Sequence, residues 1–372
     1  MKIGILTQPL AHNYGGTLQN YALQMVLREL GHEPVTLNHG VLSNGELRKV
    51  YQSYFYRCLI CSRVRHSIAV PKNVNYFEKH FREFEKKYIN SVFIGNQIVN
   101  KKKFNELKLD AIVVGSDQVW RSRYNPRKLL MNMFLDFAEH RDDIIKIAYA
   151  ASFGVDTWDF TPEQTRIASR LIKRFDAVSV REDSGVTLCS EYLGIEAVDV
   201  LDPTMLAPRS IYDSLIDDNS LYDSHIEKDK YAAVYILDLT EKKKKFVENF
   251  CKKNGLKPIY IGTRNEDGIW PSIESWLLGI RESDVVLTDS FHGTVFSIIF
   301  KRPFLNIGNK NRGQRRIESL CELIGLKQLS LNENELNNYT IPRMPWEQVT
   351  LNLENSHTIS FQFLNRALKN EG

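Results

Sequence analysis

The sequence lacks a long hydrophobic run. No stretch of the 372 residues approaches the roughly 18 apolar residues that are needed to span a bilayer. The segment from Met1 to Leu10 is too short an apolar run for the core of a secretion signal, and its pattern predicts a first strand instead. We therefore expect a cytoplasmic protein.

Cysteine is scarce, and its five copies stand at positions 58, 61, 189, 251 and 321. An odd, scattered set argues against a disulfide framework and fits a reducing compartment. Cys58 and Cys61 form one C-x-x-C pair, but no second cysteine pair or histidine pair completes a zinc site. We expect this pair to be structural and the protein to hold no metal.

The sequence has no large excess of charge of one sign. The formal net charge is +4 and the pI is near 8.6. This mild excess suits an anionic small molecule or an anionic membrane surface, and it is too small to predict a nucleic-acid partner. With 43% hydrophobic residues the chain is an ordinary folded protein, and its length predicts two domains rather than one.

Strands and helices alternate in two separate stretches of the chain. The segment 206–229, rich in Asp and Ser, interrupts the alternation, which resumes with a strand at Tyr231–Leu237. We therefore place a first domain at 1–205 and a second at 230–340. Residues 341–372 form a helical tail that we expect to pack back on the first domain.

The most informative stretch is SDVVLTDSFHGTVFSIIF, from Ser283 to Phe300. A buried strand, Val285–Thr288, runs into a polar turn and then into an apolar helix that begins near Thr294. At such a strand end, backbone N–H groups and the helix dipole favour an anion, and His292 can exchange a proton near neutral pH. Alternatively, the turn merely caps the helix and His292 satisfies a backbone carbonyl. The residue pattern leaves both interpretations open.

The first strand also ends in a polar loop, TQPLAHNYGG, before a predicted helix from Thr17 to Leu30. This loop is not the G-x-G-x-x-G fingerprint, so a dinucleotide is not indicated. Gly15 and Gly16 still allow a ligand to approach the backbone closely, with Asn13 beside them. A tight turn would explain the glycines equally well, although not the whole polar loop.

Two further strand ends carry polar residues. The strand Asp110–Val114 leads into GSDQVW, and the strand Asp176–Val180 delivers Arg181. An arginine at this edge can hold a phosphate or a carboxylate through two parallel hydrogen bonds. The alternative is a surface ion pair of Arg181 with Glu182 or Asp183.

Two basic runs follow in the second half. The run Lys242–Lys245 precedes apolar residues on one predicted helix, which indicates a solvated face. The loop GNKNRGQRR, at 308–316, enters a helix predicted for Ile317–Ile324, and its arginines stand where an anion would bind. Surface solubility is the alternative for this loop.

The strand-end motifs together resemble the polysaccharide pyruvyl transferase family. They are HNYGGTLQNYAL (12–23), VGSDQVW (114–120), YAASFG (149–154), SVREDSG (179–185), LDPT (201–204) and DSFHGTVFSI (289–298). The resemblance covers the chain from Lys2 to about Leu326. It implies an α/β fold with two Rossmann-like domains facing a cleft, as in GT-B glycosyltransferases. It also implies transfer of a pyruvyl group from phosphoenolpyruvate to two sugar hydroxyls, forming a cyclic ketal, with no cofactor.

By this resemblance the family's histidine falls on His292 and its donor-binding arginine on Arg181. A further basic contact to the donor is expected from Arg312, Arg315 or Arg316, and we select Arg316 because it directly precedes the predicted helix. His292 would protonate the enol methylene, and His292, Asp289 or Asp117 would accept the proton of the attacking hydroxyl. The remaining predicted substrate-binding residues are Ser290, Gly293, Asn13, Gly15, Gly16 and Ser116.

The predicted acceptor is a sugar of a bacterial surface or capsular polysaccharide precursor, and the sequence leaves open whether a lipid carries it. A lipid-linked acceptor would bring the protein to the inner membrane surface, where the tyrosines and arginines of 51–65 could rest on lipid headgroups. Two rival functions remain. One is a GT-B glycosyltransferase that uses a nucleotide sugar, and the other is a sugar or phosphate sensor without catalysis.

Overall fold

The computed structural model describes residues 1–10, 13–39, 77–95, 98–125, 128–217, 230–309, 313–332, 336 and 339–369. The Cys58–Cys61 pair, the aromatic and basic residues of 51–65, and Arg312 lie outside these ranges. Among the described helices, none combines the length and the apolar composition that crossing a bilayer requires.

Seven parallel strands form the first sheet, in the order β3-β2-β1-β4-β5-β6-β7. They are β1 (Lys2–Leu6), β2 (Glu33–Asn38), β3 (Ser91–Phe93), β4 (Ala111–Val114), β5 (Ile145–Ala151), β6 (Ala177–Val180) and β7 (Val198–Asp199). The central strands are buried along almost their whole length, because helices cover both faces of a parallel sheet. This is why the sequence shows continuous apolar runs there rather than alternation.

Five parallel strands form the second sheet, in the order β12-β11-β10-β8-β9. They are β8 (Tyr231–Tyr235), β9 (Lys257–Tyr260), β10 (Val285–Thr288), β11 (Phe304–Ile307) and β12 (Ser330–Leu331). The strand β10, which leads to His292, lies in the middle of this sheet. A central position fixes the backbone on both sides of the strand end.

Helices connect the strands and cover the sheets. In the first half they are α1 (Tyr14–Glu29), α2 (Lys79–Tyr88), α3 (Lys101–Glu106), α4 (Lys128–Asn132), α5 (Pro162–Ile172), α6 (Asp183–Leu188), α7 (Pro203–Leu206) and α8 (Ser210–Asp217). In the second half they are α9 (Glu241–Asn254), α10 (Ile273–Arg281), α11 (Phe291–Ile299), α12 (Gln314–Leu323) and α13 (Trp346–Lys369). Short 3-10 turns lie at Asp136–Ala138 and Lys327–Leu329, and a π turn at Cys189–Leu193.

Three helices begin about one turn earlier than the sequence pattern predicts. Helix α11 begins at Phe291, because the Ser290 side chain caps it by accepting a hydrogen bond from the Gly293 N–H at 3.4 Å. Asn13 caps α1 in the same way, through the Gly16 N–H at 3.1 Å. Helix α12 begins at Gln314. The polar and glycine residues that resemble loops are therefore the first turns of helices, and His292 lies within one of them.

The stretch that was predicted as a linker contains helix α8. Its residues Tyr212, Leu215 and Ile216 are buried, and the Tyr212 hydroxyl donates to the Thr204 carbonyl at 2.9 Å. The many Asp and Ser residues of this segment concealed a short apolar face. Residues 210–217 of the segment between the two predicted domains are therefore helical and packed.

The long helix α13 packs against the first sheet. The Leu201 N–H donates to the Ser360 hydroxyl at 2.8 Å, and the rings of Tyr149 and Phe363 lie 6.3 Å apart. The domain boundaries themselves stay predictions.

A single hydrophobic cluster joins the two sheets. At its centre the ring of Tyr14, from the first turn of α1, stacks on Trp276 of α10 with centroids 5.2 Å apart. The Tyr14 hydroxyl also donates to the Pro271 carbonyl at 2.9 Å. This packing holds the N-terminus of α1 directly against the second domain.

Candidate active site

Five charged or titratable side chains meet where the carboxyl ends of the two sheets face each other. Asp117 follows β4, Arg181 follows β6, and Asp202 lies between β7 and α7. His292 and Arg316 lie in the first turns of α11 and α12 in the second domain. All five are buried. The sequence motifs, which are up to about two hundred residues apart, are therefore parts of one site.

Arg181 is the centre of this cluster. Its guanidinium group is fully buried, with Nη1 donating to Asp202 Oδ2 at 2.6 Å and Nη2 donating to Asp117 Oδ1 at 3.0 Å. The predicted alternative, a surface ion pair with Glu182 or Asp183, is wrong about the surface because the arginine is inside the protein, although Glu182 Oε2 does lie at an ion-pair distance of 3.9 Å from Nε. Asp183 instead pairs with Arg315 of the second domain. Two edges of the guanidinium are thus already occupied by carboxylates of its own domain.

Asp202 belongs to this cluster, although the sequence interpretation did not select it as a site residue. Its Oδ1 accepts from the backbone N–H and hydroxyl of Thr204, while its Oδ2 accepts from Arg181 and from the Ser116 hydroxyl at 2.9 Å. Burial by itself would raise the pKa of Asp202, but His292 and Arg181 outweigh it and hold that pKa well below its usual value. The only signal in the sequence was the LDPT motif, a helix cap at a strand end.

His292 reaches across the domain boundary. Its Nε2 lies 3.8 Å from Asp202 Oδ2, which is an ion-pair distance and too long for a hydrogen bond. The other side of the ring lies against Gly15, where an added Cβ would fall 1.9 Å from Nδ1. Gly15 was predicted to approach a ligand. The structure places it beneath the imidazole, so the glycine makes room for the histidine, and its contact with a ligand stays a prediction.

Two arginines of opposite domains flank the ring of Phe291. The guanidinium carbon of Arg181 lies 4.7 Å from the ring centroid, and that of Arg316 lies 5.4 Å from it. Burial and the neighbouring Arg181 lower the pKa of Arg316 to about 10, so it stays protonated at neutral pH. The pKa of Asp117 is lowered, because Arg181, His292 and Arg316 together outweigh its burial. The site therefore holds two cations and two carboxylates in fixed positions.

Asp289 lies at the end of β10 but has a different environment. Its carboxylate accepts from the Leu237 N–H at 2.6 Å, the Asp238 N–H at 3.2 Å, Lys243 Nζ at 2.9 Å and Asn309 Nδ2 at 2.8 Å. The Lys243 side chain is 1% exposed, so the prediction that the Lys242–Lys245 run forms a solvated face is wrong at this residue. These four donors favour a structural role for Asp289, and its predicted role as a proton acceptor stays a prediction.

The other predicted residues surround the cluster. The Ser116 hydroxyl binds Asp202, and Asn13 and Ser290 cap α1 and α11. A Cβ on Gly16 would meet the Asn13 side chain at 2.7 Å, and one on Gly293 would meet Thr288 Oγ1 at 2.3 Å. The contacts of these residues with substrate stay predictions.

Several buried polar atoms of the cluster have no hydrogen-bond partner among the described residues. They are Arg181 Nε, Glu182 Oε2 and His292 Nε2. Native proteins leave few buried polar atoms unsatisfied, and unsatisfied groups that converge are typical of a site that binds a polar ligand.

Comparison with known proteins agrees with this architecture. A family model described as polysaccharide pyruvyl transferase matches residues 13–311. No curated protein matches the chain significantly. Among solved structures, the chain is similar to UDP-GlcNAc 2-epimerase from Neisseria meningitidis bound to UDP-GlcNAc, with 13% identity over 98% of this chain and 99% of that one and a TM-score of 0.50. UDP-GlcNAc 2-epimerase from Methanocaldococcus jannaschii has 13% identity over 95% and 92% of the chains and a TM-score of 0.50.

These likenesses at low identity concern the fold alone. They confirm the prediction of two Rossmann-like domains in a GT-B-like arrangement.

Proposed function

This chain belongs to the polysaccharide pyruvyl transferase family and is therefore a transferase, and we propose that it moves the pyruvyl group of phosphoenolpyruvate onto two hydroxyls of a sugar. The product is a cyclic ketal, and phosphate is released. The acceptor in this proposal is a precursor of a bacterial surface or capsular polysaccharide.

The observation that carries the proposal is the convergence of His292 with Arg181 and Asp202 from the opposite domain. Phosphoenolpyruvate brings a phosphate and a carboxylate, so its site needs fixed cations. Arg181 and Arg316 supply them. Because both Nη atoms of Arg181 already bind carboxylates, its Nε is the part of this guanidinium group that we assign to the donor, and Arg316 is the second cation.

The reaction transfers two protons. Of the two hydroxyl protons that the sugar loses, one ends in the new methyl group of the pyruvyl unit and the other on the released phosphate. His292 gives a proton to the enol methylene, which places positive charge on the adjacent carbon for the first hydroxyl to attack. The same imidazole then takes the proton of that hydroxyl. Asp202, kept ionised at 3.8 Å from Nε2, stabilises the protonated imidazole.

Asp117 is a weaker candidate for the proton acceptor. Its carboxylate binds Arg181 Nη2, and its lowered pKa makes it a poor base. Its contribution in this mechanism is to hold Arg181 in place from the side opposite Asp202.

The acceptor side of the proposal rests on the family and on the mild positive charge of the chain. A lipid-linked sugar at the inner face of a membrane would meet a protein of net charge +4 on an anionic surface. The proposed partners are thus phosphoenolpyruvate and a sugar acceptor, with no nucleic acid and no cofactor, in the cytoplasm.

The test is a thermal-shift titration with phosphoenolpyruvate, inorganic phosphate and a UDP-sugar, on wild type, Arg316→Gln and Arg315→Gln. A ligand that binds only the folded state raises the apparent stability, so the acceptor need not be known. We expect phosphoenolpyruvate to stabilise wild type and Arg315→Gln but not Arg316→Gln. Arg315 is the matched control, because it precedes Arg316 and pairs with Asp183 at the domain contact. Stabilisation by the UDP-sugar alone would assign the protein to nucleotide-sugar chemistry.

A further inference from the structure

Glu182 is a buried carboxyl group that the mechanism above does not use. It follows Arg181 directly, and its side chain is 1% exposed. Its Oε1 accepts from the backbone N–H groups of Phe153 at 3.0 Å and Gly154 at 3.4 Å. Its Oε2 has no hydrogen-bond partner in the described part of the chain and lies 3.9 Å from Arg181 Nε, which has none either.

The charged groups around Glu182 do not compensate for its burial. Burial raises the pKa of Glu182, and the groups that act against this rise are Arg181, Arg316, the Ser152 hydroxyl and the Gly154 N–H. The net direction is upward. On the side of β7, Asp199 has a pKa raised to about 7 by burial and by the acidic neighbours Glu182 and Asp183, and Cys189 is also close. The upward direction means that Glu182 binds a proton more readily than an exposed glutamate, and a proton on Oε2 would occupy the atom that has no hydrogen-bond partner among the described residues.

We propose that Glu182 is a second acid of the site, which gives the proton on Oε2 to the phosphate as that group leaves. This inference rests on the proposed pyruvyl transfer. The bond between the pyruvyl carbon and the bridging phosphate oxygen breaks, and its electron pair stays with the phosphate. The proton of Glu182 joins that phosphate. The second sugar hydroxyl forms the new carbon–oxygen bond, and its proton restores Glu182.

The positions of Glu182 Oε2 and Arg181 Nε allow both groups to bind the same phosphate oxygen. Neutral Glu182 and Arg181 Nε each present a hydrogen, and the two atoms are 3.9 Å apart. One anionic oxygen can accept from both at ordinary hydrogen-bond lengths. Donors that are fixed before the reaction stabilise charge where it develops, in this case on the leaving group.

The reaction delivers protons at two places, and we assign a separate acid to each. His292 comes from the second domain and serves the methylene carbon, while Glu182 comes from the first domain and serves the phosphate. Arg181 lies between them, with Asp202 and His292 at its Nη1 edge and Glu182 at its Nε edge.

A purely structural role is the alternative. Through Oε1, Glu182 holds the turn at Gly154, and the Gly154 carbonyl lies so close to Gly313 that a Cβ there would be 2.3 Å away. The turn therefore forms part of the domain contact. Glu182→Gln keeps an oxygen acceptor for both N–H groups and removes only the transferable proton, so it separates the two roles.

The first experiment measures sulfate binding by calorimetry between about pH 5.5 and 9 for wild type, Glu182→Gln and Asp199→Asn. Sulfate keeps a constant charge over this range and needs no acceptor. As Glu182 ionises, its negative charge should weaken sulfate binding in wild type by about tenfold or more relative to Glu182→Gln. Asp199, whose pKa is raised to about 7, also titrates in this range, so Asp199→Asn removes its share, and the pH dependence that remains in this variant should belong to Glu182. Parallel profiles for wild type and Glu182→Gln would overturn the proposal.

The second experiment follows the reaction in deuterated water, with phosphoenolpyruvate and an acceptor that wild type converts. We expect Glu182→Gln to release phosphate about 10² to 10⁴ times more slowly while it still incorporates deuterium at the methylene carbon. His292→Ala should lose both activities. Equal phosphate release by wild type and Glu182→Gln contradicts the role of Glu182 and leaves pyruvyl transfer standing. Wild type that binds sulfate but is not stabilised by phosphoenolpyruvate contradicts the proposed function itself.

Discussion

Gly15 and His292 belong to different domains, and the imidazole lies where a side chain on residue 15 would have to be. A Cβ at Gly15 would fall 1.9 Å from His292 Nδ1 and 2.2 Å from Cγ, closer than any non-bonded contact allows. The first turn of α1 therefore sets how far His292 can reach toward Asp202.

Gly15→Ala tests this relationship. We expect it to lower stability by about 1–3 kcal/mol, typical of overpacking in a buried site, and to lower kcat by displacing the imidazole. Denaturant unfolding and kinetics measure the two effects. The double variant Gly15→Ala with His292→Ala should recover the stability, because the clashing ring is absent. Equal destabilisation in both backgrounds would show that the histidine is not the cause.

His292→Ala should abolish turnover without loss of folding. The imidazole has no hydrogen-bond partner at Nε2 among the described residues, and without the ring Asp202 still accepts hydrogen bonds from Arg181, Ser116 and Thr204. Circular dichroism and thermal unfolding check the fold, and phosphate release checks the activity. Turnover at the wild-type rate would exclude His292 as the acid.

Asp202→Asn should reveal a pH-dependent contribution to stability. The folded-state pKa of Asp202 is lowered, while its unfolded value is about 3.9. The stability that the carboxylate provides is therefore complete above about pH 5 and is lost as pH falls toward the folded-state pKa. The free energy of unfolding of wild type should exceed that of Asp202→Asn at pH 7, and the difference should shrink toward pH 3. A difference that grows on acidification would contradict the lowered pKa.

Arg181→Lys should damage the site although it keeps the charge. An ammonium group cannot span Asp117 and Asp202, which Arg181 contacts at 3.0 and 2.6 Å through separate nitrogens. We expect a loss of about 3–5 kcal/mol in stability, as when a buried ion pair is broken, together with a fall in kcat. Unfolding curves and kinetics on the folded fraction provide the measurement. If neither parameter changes, the buried contacts do not position the cluster.

Lys243→Met and Asp289→Asn should each destabilise the second domain, since each leaves a buried partner of the 2.9 Å ion pair uncompensated. The double variant should be more stable than the sum of the two single effects predicts. If Asp289 is structural, folded Asp289→Asn protein should retain measurable phosphate release. Complete inactivity with unchanged stability would restore Asp289 as a proton acceptor.

The sequence predicted the positions of the strands along the chain well, because a buried parallel strand is a short apolar run with a polar end. β10 has the predicted bounds, and β4 and β6 each begin one residue later than predicted. Helix starts were less predictable. Glycine and asparagine in Asn13 to Gly16 are typical of loops, yet here they cap and begin a helix that packs against another domain. The local sequence pattern does not reveal that the start of this helix is fixed by packing against another domain.

The hydrogen-bond and ion-pair partners of the site residues could not be predicted from the local sequence pattern either. The sequence places Arg181 beside Glu182 and Asp183, whereas its hydrogen bonds go to Asp117 and Asp202 on neighbouring strand ends. Lys243 stands among lysines that the burial pattern marks as exposed, and only the fold shows that one of them turns inward to Asp289. Such contacts depend on strand order, which a single sequence does not specify.

The stack of Tyr14 on Trp276 gives the protein an optical signal of its own. The two rings are nearly parallel, 12° apart in orientation, and come from helices of opposite domains. A ligand that enters the buried cluster from solvent requires the domains to separate, and separation removes Tyr14 from the face of the indole. Because the chain has five tryptophans, the difference in fluorescence between wild type and Trp276→Phe should report this opening and closing without a label.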